Sequence, residues 1–426
     1  MIQLTPKWTN FQKISFRFIF AYFFLSIAPF LLYYIPYTKF LTDFYSKIRR
    51  EFVVWVAEHI LDLGVLTIFP GGSGDTTFNY AQIFTFFVVS ILVCIIWSIL
   101  DRKRESYQTF LRYFRIYVSY YVAAIMLSYG LSKVFYLQFS APPLIRLLQP
   151  FGEASPMGIA WTFMGASKTY TMFSGFAEIL GATLLFYRRT RTLGALVVVG
   201  VMLNVFMMNM SYDIPVKLYS FHLMMMAFFV GTLDYQRIVN LIALKTPMKV
   251  TNSMGAYFKN RKVSIGMTIL KLAFIGYTLF LYIDGNLDYS KQKYGSPKPL
   301  LYGIYDATTF VINNDTLPPL LTDEIRWKKL ICDSNFSNRI IIKGMDDKNT
   351  WYKYTIDSLK NNIEMIATRD STDIYNLHYV KKDSVLFLKG TWKKDSIEIK
   401  MDEFDLNKFY LINRDFHWIN EYPNNR

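Results

Sequence analysis

Cysteine is nearly absent: Cys94 and Cys332 are the only two in 426 residues. One lies in an apolar run and the other in a polar region, and there is no C-x-x-C. That excludes a thiol–disulfide relay and a thiolate metal site. Histidine is also scarce, with four residues, His59, His222, His378 and His417. Only His222 lies within a long apolar run, so the pattern lacks the paired buried histidines of a haem site. No Walker loop, dinucleotide fingerprint, G-x-S-x-G or H-E-x-x-H occurs. Acidic residues are sparse in one part of the chain only. Residues 1–283 carry 26 Lys+Arg against 11 Asp+Glu, whereas 284–426 carry 21 of each. The whole net charge of +15 therefore belongs to the first part. Its bases sit in short connections between apolar runs, which is the cytoplasmic Lys/Arg bias of membrane proteins and not a nucleic-acid surface.

What is abundant is apolar and aromatic sequence, 52% and 18% of the chain. A membrane span needs roughly 20 mostly apolar residues. Seven runs approach this: 14–36, 83–100, 116–135, 170–187, 193–210, 218–233 and 263–283. The sixth is short. The first is too long for a cleavable signal and lacks a small-residue cleavage site, so it reads as an uncleaved span. Bases cluster before the first span (Lys7, Lys13) and in the second, fourth and sixth connections, the last with Lys245, Lys249 and Lys259. The third and fifth connections are poor in them. The first is the exception, but Glu51, Glu58, Asp62 and Asp75 offset its bases. The expected orientation places the N-terminus in the cytoplasm and, after seven spans, the C-terminal domain on the other side of a bacterial inner membrane.

Within the first connection, residues 40–63 form an amphipathic segment suited to the interface plane. Residues 70–80, PGGSGDTTFNY, read as a turn-rich loop and not a phosphate nest. The third connection, broken by Pro142, Pro143, Pro150 and Pro156, is expected to form a helical hairpin. Residues 284–299 read as a polar linker. Short alternating runs follow, among them TTFVIN, RIIIKG, WYKYTID, NIEMIAT, VLFLKGTW, SIEIKM and FYLIN. Period-2 alternation between Asp, Asn, Ser and Gly predicts an antiparallel meander that closes as a small barrel or sandwich. Gly303-Ile304-Tyr305 and Gly390-Thr391-Trp392 are similar to the Gly-x-aromatic strands of lipocalin-like barrels.

The fold class is thus a multi-domain membrane protein, with an α-helical bundle of about seven spans and a C-terminal β-domain. The boundaries are 1–113 for the N-terminal spans and amphipathic segment, 114–233 for a four-helix core, 234–283 for the sixth connection and last span, and 284–426 for the β-domain.

Charges inside spans are costly in lipid and are the first functional candidates. Lys133 lies near the end of the third span and Glu178 in the middle of the fourth; consecutive antiparallel spans can pair them. Arg17 sits close enough to a span end to snorkel to water, and Lys271 is nine residues into the last span. NMSYDIPVKLYSFH gathers Asn209, Asp213, Lys217 and His222, with Asn204 shortly before. These residues suit either an anion or proton site at the bundle mouth or a salt-bridged hairpin with His222 hydrogen-bonded between helices. Met207, Met208, Met210, Met224, Met225 and Met226 read as flexible packing and not a Cu(I) site. His417, Trp418, Glu421 and Tyr422 in the tail read as packing.

YGLSKVF, with Gly130 and Lys133, then GFAEILGATLLF, with Gly175, Glu178 and Gly181, the basic turn RRTRTLGA and the span ending in Asn204 and Asn209 resemble the DoxX-like family of four-helix membrane proteins. The likeness covers the four spans of residues 114–233. The longer members from Bacteroidota share the HWINEYP-type ending. The resemblance implies a plasma-membrane bundle and, for some relatives, a subunit of a quinone-linked oxidoreductase; it carries over Lys133 and Glu178 as core polar residues. Two readings stand level. One is a quinone-linked oxidoreductase component in which Lys133, Glu178 and His222 manage protons. The other is a non-enzymatic envelope protein whose bundle anchors a β-domain for a partner protein or lipid.

Overall fold

The computed structural model describes residues 7–66, 74–240, 260–333, 338–414 and 416–422. The expected bases Lys245, Lys249 and Lys259, the segment 70–73 of the glycine-rich loop and the tail from 423 lie outside these residues. The chain forms two compact units. One runs to Gln138 and resumes at Thr169–Asn286; the other joins Phe139–Lys168 to the C-terminal part from Leu287.

The first unit is helical. Its elements are α1 (Asn10–Ile27), α2 (Lys39–His59), α3 (Thr77–Leu100) and α4 (Gln108–Val134). In chain order α5 (Leu144–Leu147) and α6 (Pro156–Ala166) follow, in the second unit, and then α7 (Lys168–Phe186), α8 (Arg191–Ser211), α9 (Lys217–Thr232), α10 (Tyr235–Val239) and α11 (Arg261–Tyr294). Helix starts are written locally: Thr9 with Gln12 and Thr76 with Asn79 close capping boxes on α1 and α3. Side-chain contacts fix the helix directions. Phe16 meets Tyr107 and Phe24 meets Tyr117, so α1 and α4 run parallel. Phe18 meets Phe87 while Phe16 meets Trp97, so α3 runs against them. Tyr120 meets Phe186 while Lys133 meets Glu178, and Phe206 meets Phe221 while Gly231 approaches Ala195. The order α1, α3, α4, α7, α8, α9, α11 therefore alternates in direction. Six of the seven expected apolar runs fall on helices almost throughout; the first, 14–36, breaks after Ile27, where α1 ends, and its last part holds only a 3₁₀ turn at Phe30–Tyr34. Five described helical stretches are long and apolar enough to cross a membrane: Asn10–Tyr34, Thr77–Leu100, Gln108–Val134, Arg191–Ser211 and Arg261–Tyr294. α9, with 16 residues, rises only about 24 Å at 1.5 Å per residue.

One boundary moves. The polar stretch expected as linker is helical as far as Tyr294. It contains no proline before Pro297, Lys291 and Lys293 oppose the negative end of the helix dipole, and Gly295 ends the helix.

The second unit is an eight-stranded antiparallel barrel: β1 (Gly303–Ile312), β3 (Trp327–Cys332), β4 (Arg339–Gly344), β5 (Asn349–Asp357), β6 (Asn362–Ala367), β7 (Ile374–Lys382), β8 (Val385–Trp392) and β9 (Asp395–Glu403). The two-residue β2 (Asp315–Thr316) extends the end of β1, and β1 pairs with β9 to close the ring. Asn361 and Asp383, at hairpin turns, take the left-handed backbone that Asn and Asp tolerate. β5 to β9 alternate inward and outward as their sequences do. Eight strands enclose a space that side chains can just fill. Here Trp327, Tyr352, Tyr375, Met365 and Met401 fill it, each almost wholly buried. The continuous apolar runs Leu330-Ile331-Cys332 and Ile340-Ile341-Ile342 have a different cause: both faces are covered. Ile304, Ile331 and Ile341 point outward under Leu144, Leu147 and Leu148 of the segment between α4 and α7. Asp333 Oδ2 accepts the Leu144 N–H at 2.8 Å and anchors that segment. In place of a helical hairpin this segment holds α5, a short 3₁₀ turn and α6. FYLIN, expected as a strand, forms the helical turn α12 (Tyr410–Asn413), because the closed ring leaves no edge for another strand.

Candidate functional site

Gly130 on α4 and Gly175 on α7 lie against one another. A Cβ on Gly130 would stand 2.8 Å from the Gly175 carbonyl oxygen; one on Gly175 would stand 2.6 Å from that of Gly130. Three residues on from each glycine, on the same helix face, are Lys133 and Glu178. The close approach brings their side chains together: Lys133 Nζ donates to Glu178 Oε1 at 2.8 Å and Oε2 at 2.7 Å. The side chains are 7% and 4% exposed. Tyr129 offers its ring to the ammonium at 5.6 Å. The pair is mutually hydrogen-bonded, so it joins α4 to α7 whatever else it does.

His222 does not join them. Its Nδ1 lies 2.6 Å from the Leu218 carbonyl, which can only accept, so Nδ1 carries a proton. In the neutral ring Nε2 then accepts from Tyr22 Oη at 2.6 Å, a bond from α9 to α1. Asn209 is buried and donates to Ser220 Oγ at 3.0 Å, holding α8 to α9. Asn204 is exposed and stands apart from this cluster. Asp213 and Lys217 pair at 2.7 Å, with Asp213 in the left-handed region. Reading the sequence missed their third member. Asp75 accepts the backbone N–H groups of Lys217 at 2.8 Å and Leu218 at 3.0 Å and lies 3.8 Å from Lys217 Nζ. It caps α9 from a distant loop, and only an aspartate at the end of a glycine run hinted at it. The arrangement is a salt-bridged helix cap.

Arg17 is buried instead of snorkelling. It donates to Tyr107 Oη, Ser98 Oγ and the Asp101 carbonyl, tying α1 to α3 and to the start of α4. Cys332 is fully buried, and burial pushes its thiol up to about 12, so it is a packing residue in the thiol form.

The bundle also holds a slot of about 900 Å³ that no single motif announces. Leu31, Ile35, Phe274 and Tyr34 line it, with Tyr113, Tyr117 and Tyr120 at i, i+4 and i+7 on α4. That tyrosine spacing was the available signal. Arg188, Arg191 and Lys271 also line it, and Lys271 Nζ sits 4.6 Å from the centre of the Tyr187 ring. Lining residues on α11 run from Ser264 to Tyr277, about 20 Å at the helical rise.

No family profile matches this chain, and no solved structure does. It is 34% identical over 122 residues to the uncharacterized protein YwoB of Bacillus subtilis (strain 168), an alignment covering 26% of this chain and 71% of that one. On that similarity the chain belongs, through about a quarter of its length, to the family of YwoB.

Proposed function

We propose that this is an integral membrane protein of the DoxX-like type whose helical bundle holds an elongated, lipid-soluble molecule in the slot between α4, α11 and the segment that follows α1. The observation that carries it is the slot, because its walls are apolar and aromatic along the length of a chain-like ligand. Embedding in a bilayer is supported by the apolar surface the helices leave uncovered. Only 6% of the apolar stretch of α11 and 22% of that of α3 is buried within the chain. An apolar helix with so little cover suits a lipid surround. On α2, Phe40, Phe44, Ile48, Phe52 and Trp55 form an exposed stripe at helical spacing, suited to the interface plane. Lys/Arg placement supports a cytoplasmic N-terminus. The helices α7, α8, α9 and α11 lie between residues 139–168 and the barrel strands; counted as four spans, they return the chain to the face where it began.

The filled barrel interior favours the bundle over the β-domain as the half that takes a small molecule. A quinone, which the DoxX-like resemblance implies, fits the slot. Its tail would lie along Leu31, Ile35 and Phe274, and the Tyr113 or Tyr117 hydroxyl would donate to a ring carbonyl. Such a carrier supplies two-electron redox chemistry when bound, and the protein would then be a component of a quinone-linked oxidoreductase. In the second reading the same slot holds a structural lipid. Native mass spectrometry of protein gently extracted from its own membrane tests the proposal. A copurifying lipophilic molecule, lost in Ala273→Trp, is expected; equal retention by this slot-blocking variant would remove the slot from the reading.

A further inference from the structure

α8 carries two amides in its second half, and the chain uses only one of them. Asn209 turns inward and donates to Ser220 Oγ. Asn204 turns outward, is exposed, and makes no hydrogen bond to any described residue. It stands seven residues before the end of α8 at Ser211, about 10 Å at the helical rise. Its side chain is too short to reach water from there, as a lysine would. An amide facing hydrocarbon leaves two N–H donors and a carbonyl acceptor unmet, which is costly, so polar side chains inside spans face other protein. The surroundings of Asn204 have the form of a helix-packing face. Leu193, Leu196, Gly200, Leu203 and Met207 recur at alternating spacings of three and four, and all are exposed. Gly200 lies one turn before Asn204 on the same side, and a Cβ there would meet nothing of this chain within 4 Å. The chain's own packing makes no use of that glycine; a backbone approaching from outside does.

We infer that α8 packs in the bilayer against α8 of a second copy of this chain, the two helices crossing at Gly200 and the two Asn204 side chains hydrogen-bonded to each other. The occupant follows from the chemistry of the amide. It is donor and acceptor at once, so it is complementary to itself. A copy related by a twofold axis along the membrane normal holds its own Asn204 at the same depth, and such an interface closes as a dimer. Acyl chains would cover the leucines equally well but offer the amide nothing. The inference rests on α8 crossing the bilayer and is independent of what the slot holds.

The test uses the full chain reconstituted into phosphatidylcholine vesicles. Self-association is read by energy transfer between donor- and acceptor-labelled copies as added lipid dilutes the protein. An alkaline carbonate wash separates the two levels: protein that it releases is not embedded, and the membrane reading falls with the inference. In embedded protein, Asn204→Leu is expected to weaken self-association at least fivefold, the effect of about one lost interhelical hydrogen bond. Gly200→Ile, which holds the backbones apart, should weaken it at least as much, and Asn204→Gln should stay near wild type. Neither position is tied to the rest of the chain, so melting temperatures should not change, which separates pairing from folding. A second readout fixes the face. Both native cysteines are buried, so wild type should give no disulfide-linked dimer on mild oxidation, whereas Met207→Cys should give one. Embedded wild-type protein that is monomeric at every dilution leaves this face to lipid or to a different protein and overturns the inference. Self-association unchanged in both Asn204→Leu and Gly200→Ile, or Met207→Cys that stays monomeric after oxidation, overturns it as well.

Discussion

Replacing Glu178 with Gln keeps the size of the side chain and removes its charge. Lys133 would then be a buried ammonium facing an amide, in a place where the wild-type side chains are 7% and 4% exposed. Removing one member of a buried pair typically costs about 3–5 kcal/mol, because the other charge is left uncompensated. Gln keeps one acceptor oxygen for the ammonium, so the expected loss lies near the lower bound, about 3 kcal/mol, or roughly a hundredfold in the folded-to-unfolded ratio. Glu178→Leu should approach about 5 kcal/mol. The double variant Lys133→Met with Glu178→Leu removes both charges and should recover most of the loss, since apolar replacement of a whole buried pair is often neutral. Denaturant unfolding of detergent-solubilised protein, followed by intrinsic fluorescence, gives the cycle. The reasoning fails if Glu178→Gln loses less than about 1 kcal/mol, as an exposed pair would, or if the double variant is no better than Glu178→Leu. Full ligand retention in a Glu178→Gln protein with unchanged melting would also remove this residue from any functional role.

Gly175→Ala puts a methyl 2.6 Å from the Gly130 carbonyl oxygen and 2.9 Å from Lys133 Cβ, neither of which can swing away. α4 and α7 must separate, with an expected cost of about 1–3 kcal/mol and a weakened Lys133–Glu178 bond; a melting temperature equal to wild type would contradict the close contact. In the barrel unit, burial holds the Asp333 carboxyl above the usual carboxylate range, against the opposing effect of the Leu144 N–H. A carboxyl raised in the folded state contributes stability below its unfolded value of about 3.9, and that contribution is lost as pH rises through the folded value. The stability difference between wild type and Asp333→Asn should therefore shift in favour of the variant as pH is raised from about 4. An unchanged difference across that interval would show that the carboxylate is not held in a desolvated place.

Much of the architecture follows from local pattern. Runs of about 20 apolar residues show as helices wherever they occur, since length and composition suffice. Alternation in β5 to β9 shows one-sided burial, and the expected antiparallel meander follows from it. Lys133 and Glu178 stood out because charges inside apolar runs are rare enough to be noticed one at a time.

What the tertiary structure decided depends on partners far apart in the chain. The runs in β3 and β4 are continuous because residues nearly two hundred positions earlier cover their outer face, through Leu144 and its hydrogen bond to Asp333. FYLIN has the composition of a strand, but the pairing of β1 with β9 leaves it no edge. Asp75 caps a helix 142 positions away. The slot is built from turns and faces of several helices, and Lys271 gains its setting from Tyr187 on another segment. Hydropathy and period are properties of neighbours along the chain, so sequence records them; a cavity, a distant cap or a shared charge site exists only when separate segments meet, and no local pattern encodes that meeting.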